Sequence, residues 1–272
     1  MMGPIFDHLA GFGALWLATY VLVFGSYLAF GWAFTVWSRQ HPERKIQERR
    51  DGQKRRNKEI RASARSLIVT CGCFAGGLYL QLNGVTLFDP FALTWWSAPL
   101  MFGASIFLFD TWFYWIHRLN HSGPFKKWHA LHHQSVAPTV WSNYSDTFFD
   151  AFSQQSFFLF MPLIVPFPPA IFIAHRVFDH FNGMIGHSGL EFAAGKSSRT
   201  PWPLASVTFH DMHHSTYNYN YANHFSFWDR LMGTIHPDYD KKVVWMEERI
   251  AAGASASASG AGREAVGPQR TA

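Results

Sequence analysis

The stretch Asp110-Thr-Trp-Phe-Tyr-Trp-Ile-His-Arg-Leu-Asn-His121, followed by Lys127-Trp-His-Ala-Leu-His-His133, is the part of the sequence around which the fold has to be built. It places five histidines within seventeen positions: His117, His121, His129, His132 and His133. Residues three or four positions apart share one face of an α-helix. The spacing therefore predicts that the first two imidazoles point as one group and the last three as another.

A second triplet with the same spacing, His210, His213 and His214, follows much later. Clustered imidazoles repel one another when protonated, which favours their neutral form beside a metal. A single tetrahedral zinc needs about four ligands, so eight or more histidines in three groups indicate two ions. Imidazole suits zinc, copper, iron and nickel, and the ligand type leaves the metal open.

The composition is that of a membrane protein diluted by polar segments, with 48% hydrophobic and 15% charged residues. Of the 23 Lys and Arg, eleven lie between Arg39 and Arg65, beside an apolar run. Such clustering indicates membrane topology and argues against a nucleic-acid partner. The two cysteines, Cys71 and Cys73, indicate no disulfide framework.

Three uncharged runs are candidates for spanning helices, since about 20 residues cross a hydrocarbon core. Leu9–Trp37 is the first, and the basic segment after it is expected in the cytoplasm by the positive-inside tendency. Ser66–Phe88 and Phe91–Phe109, separated by Asp89-Pro90, are expected to form an antiparallel hairpin. The third helix then returns to the cytoplasm at Asp110, where the histidine stretch begins.

A further apolar run, Ala151–Ala174, contains Pro162, Pro166, Pro168 and Pro169. A single crossing would put the two histidine triplets on opposite sides of the bilayer. Split at the prolines, each arm has about 12 residues, or about 18 Å, which is short of a crossing. We therefore expect a hairpin that enters the membrane and returns, with the prolines at its tip.

The predicted fold is all-α: an integral, multi-pass membrane protein with about three spanning helices, a re-entrant hairpin and a cytoplasmic histidine-rich di-metal cap. Residues 1–65 are expected to form a membrane helix and a basic cytoplasmic segment, and residues 66–250 the catalytic domain. Residues 251–272 are rich in Ala, Gly and Ser and are expected to be disordered.

Three segments, His117–His121, His129–His133 and His210–His214, resemble the histidine boxes of the fatty acid hydroxylase/sterol desaturase superfamily of membrane non-haem di-iron oxygenases. The residues after the third box, with Phe227–Thr234, resemble its sterol-acting branch. The likeness covers about residues 91 to 235. It implies a di-iron centre in this chain, and it does not specify a substrate.

The resemblance also implies the ligand set. Members of the superfamily use a histidine between the second and third boxes, and His187 best matches that position, while His180 is a weaker alternative and His175 is expected to be structural. Some relatives have a histidine where this chain has Gly183, which leaves one metal a ligand short. The nine expected ligands are His117, His121, His129, His132, His133, His187, His210, His213 and His214.

Carboxylates are expected beside these imidazoles, because a metal-bound histidine usually donates its other N–H to a carboxylate or carbonyl oxygen. Asp110 lies seven residues before His117 and so on the same helical face, while Asp211 and Asp229 lie in or near the third box. These three are the candidates for that role.

The activity that the resemblance implies is hydroxylation or desaturation of a lipid C–H bond with O₂ and two iron ions, at the cytoplasmic face. No nucleotide-binding motif is found, so electrons are expected from a cytochrome, ferredoxin or reductase partner. A zinc-dependent membrane lipid hydrolase and a histidine-rich metal-binding or transport protein remain as alternatives.

Overall fold

The computed structural model of the chain describes residues 3–264, with side chains described for residues 8–255. This part contains no β-strand, only isolated bridges, which confirms the all-α class. The α-helices are α1 (Gly3–Ser38), α2 (Arg56–Leu82), α3 (Ser97–Asn120), α4 (Lys126–His129), α5 (Phe148–Gln155), α6 (Phe157–Ile164), α7 (Pro169–Gly186), α8 (Val207–Thr216), α9 (Phe227–Leu231) and α10 (Tyr239–Glu264).

Helix α1 packs along α2 through aromatic side chains that reach the backbone of the neighbouring helix. The Trp16 indole N–H donates to the Ile68 carbonyl at 2.9 Å, and the Tyr20 hydroxyl donates to the Ala64 carbonyl at 2.9 Å. Two segments of the described chain, His8–Ser38 and Gly52–Leu82, are long and apolar enough to cross a membrane.

Helices α2 and α6 approach closely because α2 presents glycine to its neighbour. A Cβ atom on Gly77 would lie 2.1 Å from the Phe158 carbonyl oxygen, so no larger residue fits there. Helix α2 ends at Leu82, earlier than the expected Phe88, since the chain turns at Gly84, which adopts a left-handed conformation with φ 78°.

Helix α3 differs from the expected Phe91–Phe109 in both bounds. It begins at Ser97 and continues through Asp110 to Asn120, so one uninterrupted helix joins the apolar run to the first histidine box.

The chain reverses direction at the prolines between α6 and α7, as expected for a hairpin. Residues 165–168 form the turn, and it lies against the α2–α3 connection: the Leu87 N–H donates to the Leu163 carbonyl, and the Phe91 N–H donates to the Pro166 carbonyl, both at 2.8 Å. The reversal returns α7 toward the histidine boxes.

The C-terminal segment corrects a prediction. Helix α10 extends to Glu264, so residues 251–264 are helical where disorder was expected. Alanine has the highest intrinsic helix propensity, which outweighs the absence of an apolar period in this stretch. The remainder of the expected disordered tail, residues 265–272, lies outside the described residues.

Candidate metal centre

Four helix ends bring the predicted histidines together. His117 is on the last turn of α3 and His121 follows it as the C-cap. The second box lies on α4 and the 3-10 turn after it, the third box lies on α8, and His187 is the C-cap of α7. Helix ends allow several side chains from separate segments to converge on one point.

The nine imidazoles form two groups, each with its ligand-type nitrogens within 4.8 Å of one another. One group has five members: His117, His121, His129, His133 and His213. The other has four: His132, His187, His210 and His214. Neighbours in sequence are divided between the groups, since His132 and His133 belong to different ones. His180 belongs to neither group.

The Nε2 atoms of neighbouring rings lie 2.8–3.2 Å apart. For a metal–nitrogen bond of about 2.1 Å, ligands at right angles are about 3.0 Å apart and tetrahedral ligands about 3.4 Å. The observed separations are close to those of nitrogens that bind one ion.

The other ring nitrogen, Nδ1, faces an acceptor in five of the nine imidazoles. Backbone carbonyls take three of these contacts: His117 to Tyr221 O at 2.7 Å, His187 to Gly183 O at 2.8 Å and His213 to Tyr219 O at 2.6 Å. A carboxylate takes one more hydrogen bond, from His129 to Asp150 Oδ2 at 2.7 Å, and His132 Nδ1 lies 2.8 Å from Asp146 Oδ1 in an ion-pair contact without hydrogen-bond geometry. Each hydrogen bond places a proton on Nδ1, and in the neutral imidazole it leaves the Nε2 lone pair free.

Pairs of unprotonated Nε2 atoms therefore face each other at hydrogen-bond distance. His117 and His129 do so at 3.0 Å. Two lone pairs this close repel each other, and a cation between them turns the repulsion into coordination. The donor set thus fits a metal ion in each group.

Burial favours the neutral form of most of these imidazoles, although at His132 the Asp146 carboxylate outweighs it and raises the pKa. Burial and the neighbouring rings hold the pKa of His210, His213 and His214 well below the ordinary value for histidine. The same causes lower the pKa of His121 to about 2. Neutral imidazole is the form that binds metals.

Asp146 and Asp150 are the carboxylates that contact the imidazoles, and sequence reasoning missed them. Asp150 is fully buried; besides His129, it accepts hydrogen bonds from Asn120 at 3.1 Å and from Gln154 at 2.7 Å. The available signal was the pair itself: two acids four residues apart, shortly after the second box and just before a long apolar run.

The three carboxylates predicted for that role have other partners, and the prediction is corrected. Asp110 accepts hydrogen bonds from the backbone N–H groups of residues 223–225. Asp211 pairs with Arg50 at 2.7 Å and also accepts a hydrogen bond from the Gln47 side chain. Asp229 accepts from the N–H groups of Tyr221 and Ala222. Asp110 and Asp229 thus hold the loop whose Tyr221 carbonyl receives the His117 N–H.

The remaining histidines of this region have structural partners. His180 contacts Tyr144 Oη at 2.8 Å and Ser26 Oγ at 3.1 Å, and His175 contacts Ser105 Oγ at 2.7 Å. His224 contacts the Asn182 side chain at 2.9 Å.

Asn143 occupies the space beside Gly183, the position at which some relatives have histidine. A Cβ atom on Gly183 would lie 2.6 Å from Asn143 Oδ1. Asn143 also lines a cavity of about 30 Å³ with His132, His187 and His210 of the four-imidazole group. An amide thus faces the group that has one imidazole fewer.

Two larger cavities reach the imidazoles from outside. One, of about 350 Å³, is lined by His121 and His133 together with Tyr217 and Val136. The other, of about 180 Å³, reaches His187 and His210. Its apolar walls are formed by Ile185, Phe192, Ala193, Ala205 and Val207.

The chain is similar in sequence to one protein family and to several characterised proteins. Residues 102–234 match the family model described as fatty acid hydroxylase. A probable Delta(7)-sterol 5(6)-desaturase of Neurospora crassa is 30% identical over 147 residues, which are 53% of this chain and 41% of that protein. Cholesterol 25-hydroxylase of Mus musculus is 28% identical over 133 residues, 48% of this chain and 45% of that protein.

A cholesterol 25-hydroxylase-like protein of Danio rerio is 23% identical over 199 residues, 67% of this chain and 78% of that protein. The chain spans under half the length of the first two relatives. No solved structure matches it. Residues 102–234 contain the eight predicted ligand residues of the three boxes together with His187. Their match to the fatty acid hydroxylase family confirms the resemblance to the fatty acid hydroxylase/sterol desaturase superfamily and its sterol-acting branch.

Proposed function

We propose that the chain is a membrane-bound oxygenase that holds two iron ions, one in each imidazole group, and hydroxylates or desaturates a C–H bond of a lipid. One observation carries the proposal: unprotonated Nε2 atoms face each other, and those of His117 and His129 are 3.0 Å apart. Without a bound cation, the lone pairs of these nitrogens repel one another. When bound, iron supplies activation of O₂ and cleavage of the C–H bond.

The protein's own part is to hold the ligand tautomers and to position the substrate. Asp150 keeps the Nδ1 proton of His129 in place, so the Nε2 atom of His129 remains available, and Asp146 lies 2.8 Å from the Nδ1 atom of His132. The cavity that reaches His187 and His210 is the route by which we expect the reacting carbon to enter; its lining combines apolar residues with Asn182, Ser206 and Asn223.

A lipid substrate fits the apolar surface of the helices. Large apolar side chains are exposed on α1, α3 and α7, including Leu22 at 72%, Leu100 at 66% and Val177 at 54%. Exposed apolar surface on this scale indicates contact with a membrane. We propose that the protein is multi-pass and that the metal centre faces the cytoplasm, beyond the apolar part of α3.

The names of the relatives support the same class of substrate, because one acts on a Delta(7)-sterol and another on cholesterol. For this chain we propose a sterol or fatty acyl lipid. Electrons have to come from a separate donor protein, a cytochrome, ferredoxin or reductase.

The test is to compare the lipids of cells with and without the gene by mass spectrometry, under air and without oxygen. We expect a lipid that has gained one oxygen atom or lost two hydrogen atoms, and only under air. His132→Ala and His213→Ala, one from each group, should abolish this product, while His236→Ala should not. Product formation without oxygen would instead support the zinc hydrolase.

A further inference from the structure

A basic cavity of about 400 Å³ lies where α1 ends and α2 begins. Four cationic side chains line it, together with the hydroxyl groups of Ser38, Thr139 and Ser188. The cationic residues are Arg39, Lys45, Arg50 and Arg56. The single acidic residue in the lining is Asp51, whose carboxylate accepts a hydrogen bond from the Gln53 N–H. The cavity therefore carries a strong excess of positive charge.

Most of this charge is available to a ligand. Arg39, Lys45 and Arg56 are exposed, and among the described residues none of them is within ion-pair distance of a carboxylate. The Arg56 guanidinium makes only a long contact of 3.5 Å, to Asn57. Unpaired cations around one concave space attract a compact anion.

The floor of the cavity is built by close backbone packing. A Cβ on Gly52 would lie 1.9 Å from the Ala137 carbonyl oxygen, and Gly189, with φ 69°, lies against the Gln47 amide. Arg50 lies at the inner end, held by Asp211 at 2.7 Å. These contacts join the α1–α2 connection to the segments that carry the second and third boxes, so the concave shape is fixed.

The position of the cavity indicates where the anion comes from. Arg39 is the first charged residue after the uncharged run of α1, so the cavity opens at the level where the apolar surface of that helix stops. Basic pockets at this level, between membrane helices, bind the phosphate of lipid head groups. The volume of the cavity suits a glycerophosphate group. A macromolecule is too large to enter the cavity and would have to bind the surface around it.

We propose that this cavity is a binding site for a phosphate monoester or diester, supplied by an anionic lipid head group or by a small phosphate compound. Arg39, Lys45 and Arg56 contact the phosphate oxygens. The site is separate from the imidazole groups, and its existence does not depend on the proposed reaction.

The test measures lipid binding by native mass spectrometry of the full chain in phosphatidylcholine nanodiscs doped with phosphatidylglycerol. The variant Arg39→Ala/Arg56→Ala removes two contacts, and the matched control Lys54→Ala/Lys58→Ala removes two exposed charges of the same segment that do not line the cavity. At about 1 kcal/mol per basic residue, the first variant should bind phosphatidylglycerol about 30-fold more weakly. The control should bind it like the unmodified protein.

Adding glycerol phosphate or inorganic phosphate distinguishes the two sources. Competition by these ions at low concentration assigns the site to a small phosphate compound, and retention of phosphatidylglycerol in their presence assigns it to a lipid. Equal binding of phosphatidylcholine and phosphatidylglycerol, or equal losses in the two variants, overturns the proposal, since either result means diffuse attraction by a basic surface. Unchanged metal content and thermal stability of both variants show that each remains folded.

Discussion

Replacing Asp150 with asparagine tests how the metal centre is held. In the folded protein one carboxylate oxygen accepts the His129 Nδ1–H at 2.7 Å, and the other accepts from Asn120 and Gln154. Asparagine retains only one acceptor oxygen. The NH₂ group of the asparagine must then face another donor, either the His129 Nδ1–H or the side-chain amides of Asn120 and Gln154.

The size of the effect can be worked out in two ways. A hydrogen bond to a charged group is worth about 1.5–3 kcal/mol. Loss of the partner of a metal-bound histidine typically weakens metal binding about 10- to 100-fold, which corresponds to about 1.4–2.7 kcal/mol. We therefore expect Asp150→Asn to lower the affinity of the five-imidazole group 10- to 100-fold, and the affinity of the four-imidazole group much less.

The assay is chelator competition on the reconstituted protein, with the two metal equivalents resolved by titration. Asp110→Asn is the matched control, because Asp110 is equally buried but accepts its three hydrogen bonds from backbone N–H groups on one oxygen, which asparagine can retain. It should lower thermal stability by about 1 kcal/mol and leave both affinities unchanged. Equal metal affinity in Asp150→Asn and the unmodified protein would refute the reasoning, as would an equal loss in Asp110→Asn.

The remaining predictions concern packing, stoichiometry and the thiols. Gly77→Ala should destabilise the protein by about 1–3 kcal/mol, because its Cβ would collide with the Phe158 carbonyl, whereas Gly103→Ala, which meets nothing within 4 Å, should leave the melting temperature unchanged or raise it slightly. His187→Ala should reduce the metal content from two ions to one, measured by elemental analysis; retention of two would show that His187 is not a ligand. Cys71 and Cys73 are buried and unpaired, so a maleimide should label both only after denaturation, and resistance of the denatured protein would reveal a disulfide.

The histidine groups could be predicted from sequence because each box lies within one short segment. Spacings of three and four fix which imidazoles share a helical face, whatever the rest of the chain does. How the boxes are divided was not predictable in this way. His132 and His133 belong to different groups because consecutive side chains of the 3-10 turn after α4 point about 120° apart.

The carboxylates were mispredicted for a related reason. Asp110 lies on the His117 face of α3 by spacing, yet two helical turns separate the residues, and the loop at residues 223–225 takes its hydrogen bonds. Asp150 reaches His129 only through the tertiary packing of α5 against α3 and α4. Periodicity describes one helix and carries no information about which helices pack together.

The membrane segments, too, were predictable in some respects and not in others. Uncharged runs indicated α1, α2 and the hairpin between α6 and α7, because length and apolarity are local properties. Their ends were less predictable, since α3 continues eleven residues beyond its apolar run. The number of spans and the side of the membrane on which the centre lies stay predictions.

The division of the imidazoles between two groups has a consequence for biosynthesis. Each group combines residues from the second box with residues from α8: His133 with His213 in one, and His132 with His210 and His214 in the other. Neither group is therefore complete until the ribosome has synthesised and released the segment that contains α8. In the proposed di-metal protein, metal loading has to follow synthesis of α8. A product truncated before Val207 lacks two of the four imidazoles in one group and one of the five in the other, so it should lose the first ion and bind the second more weakly.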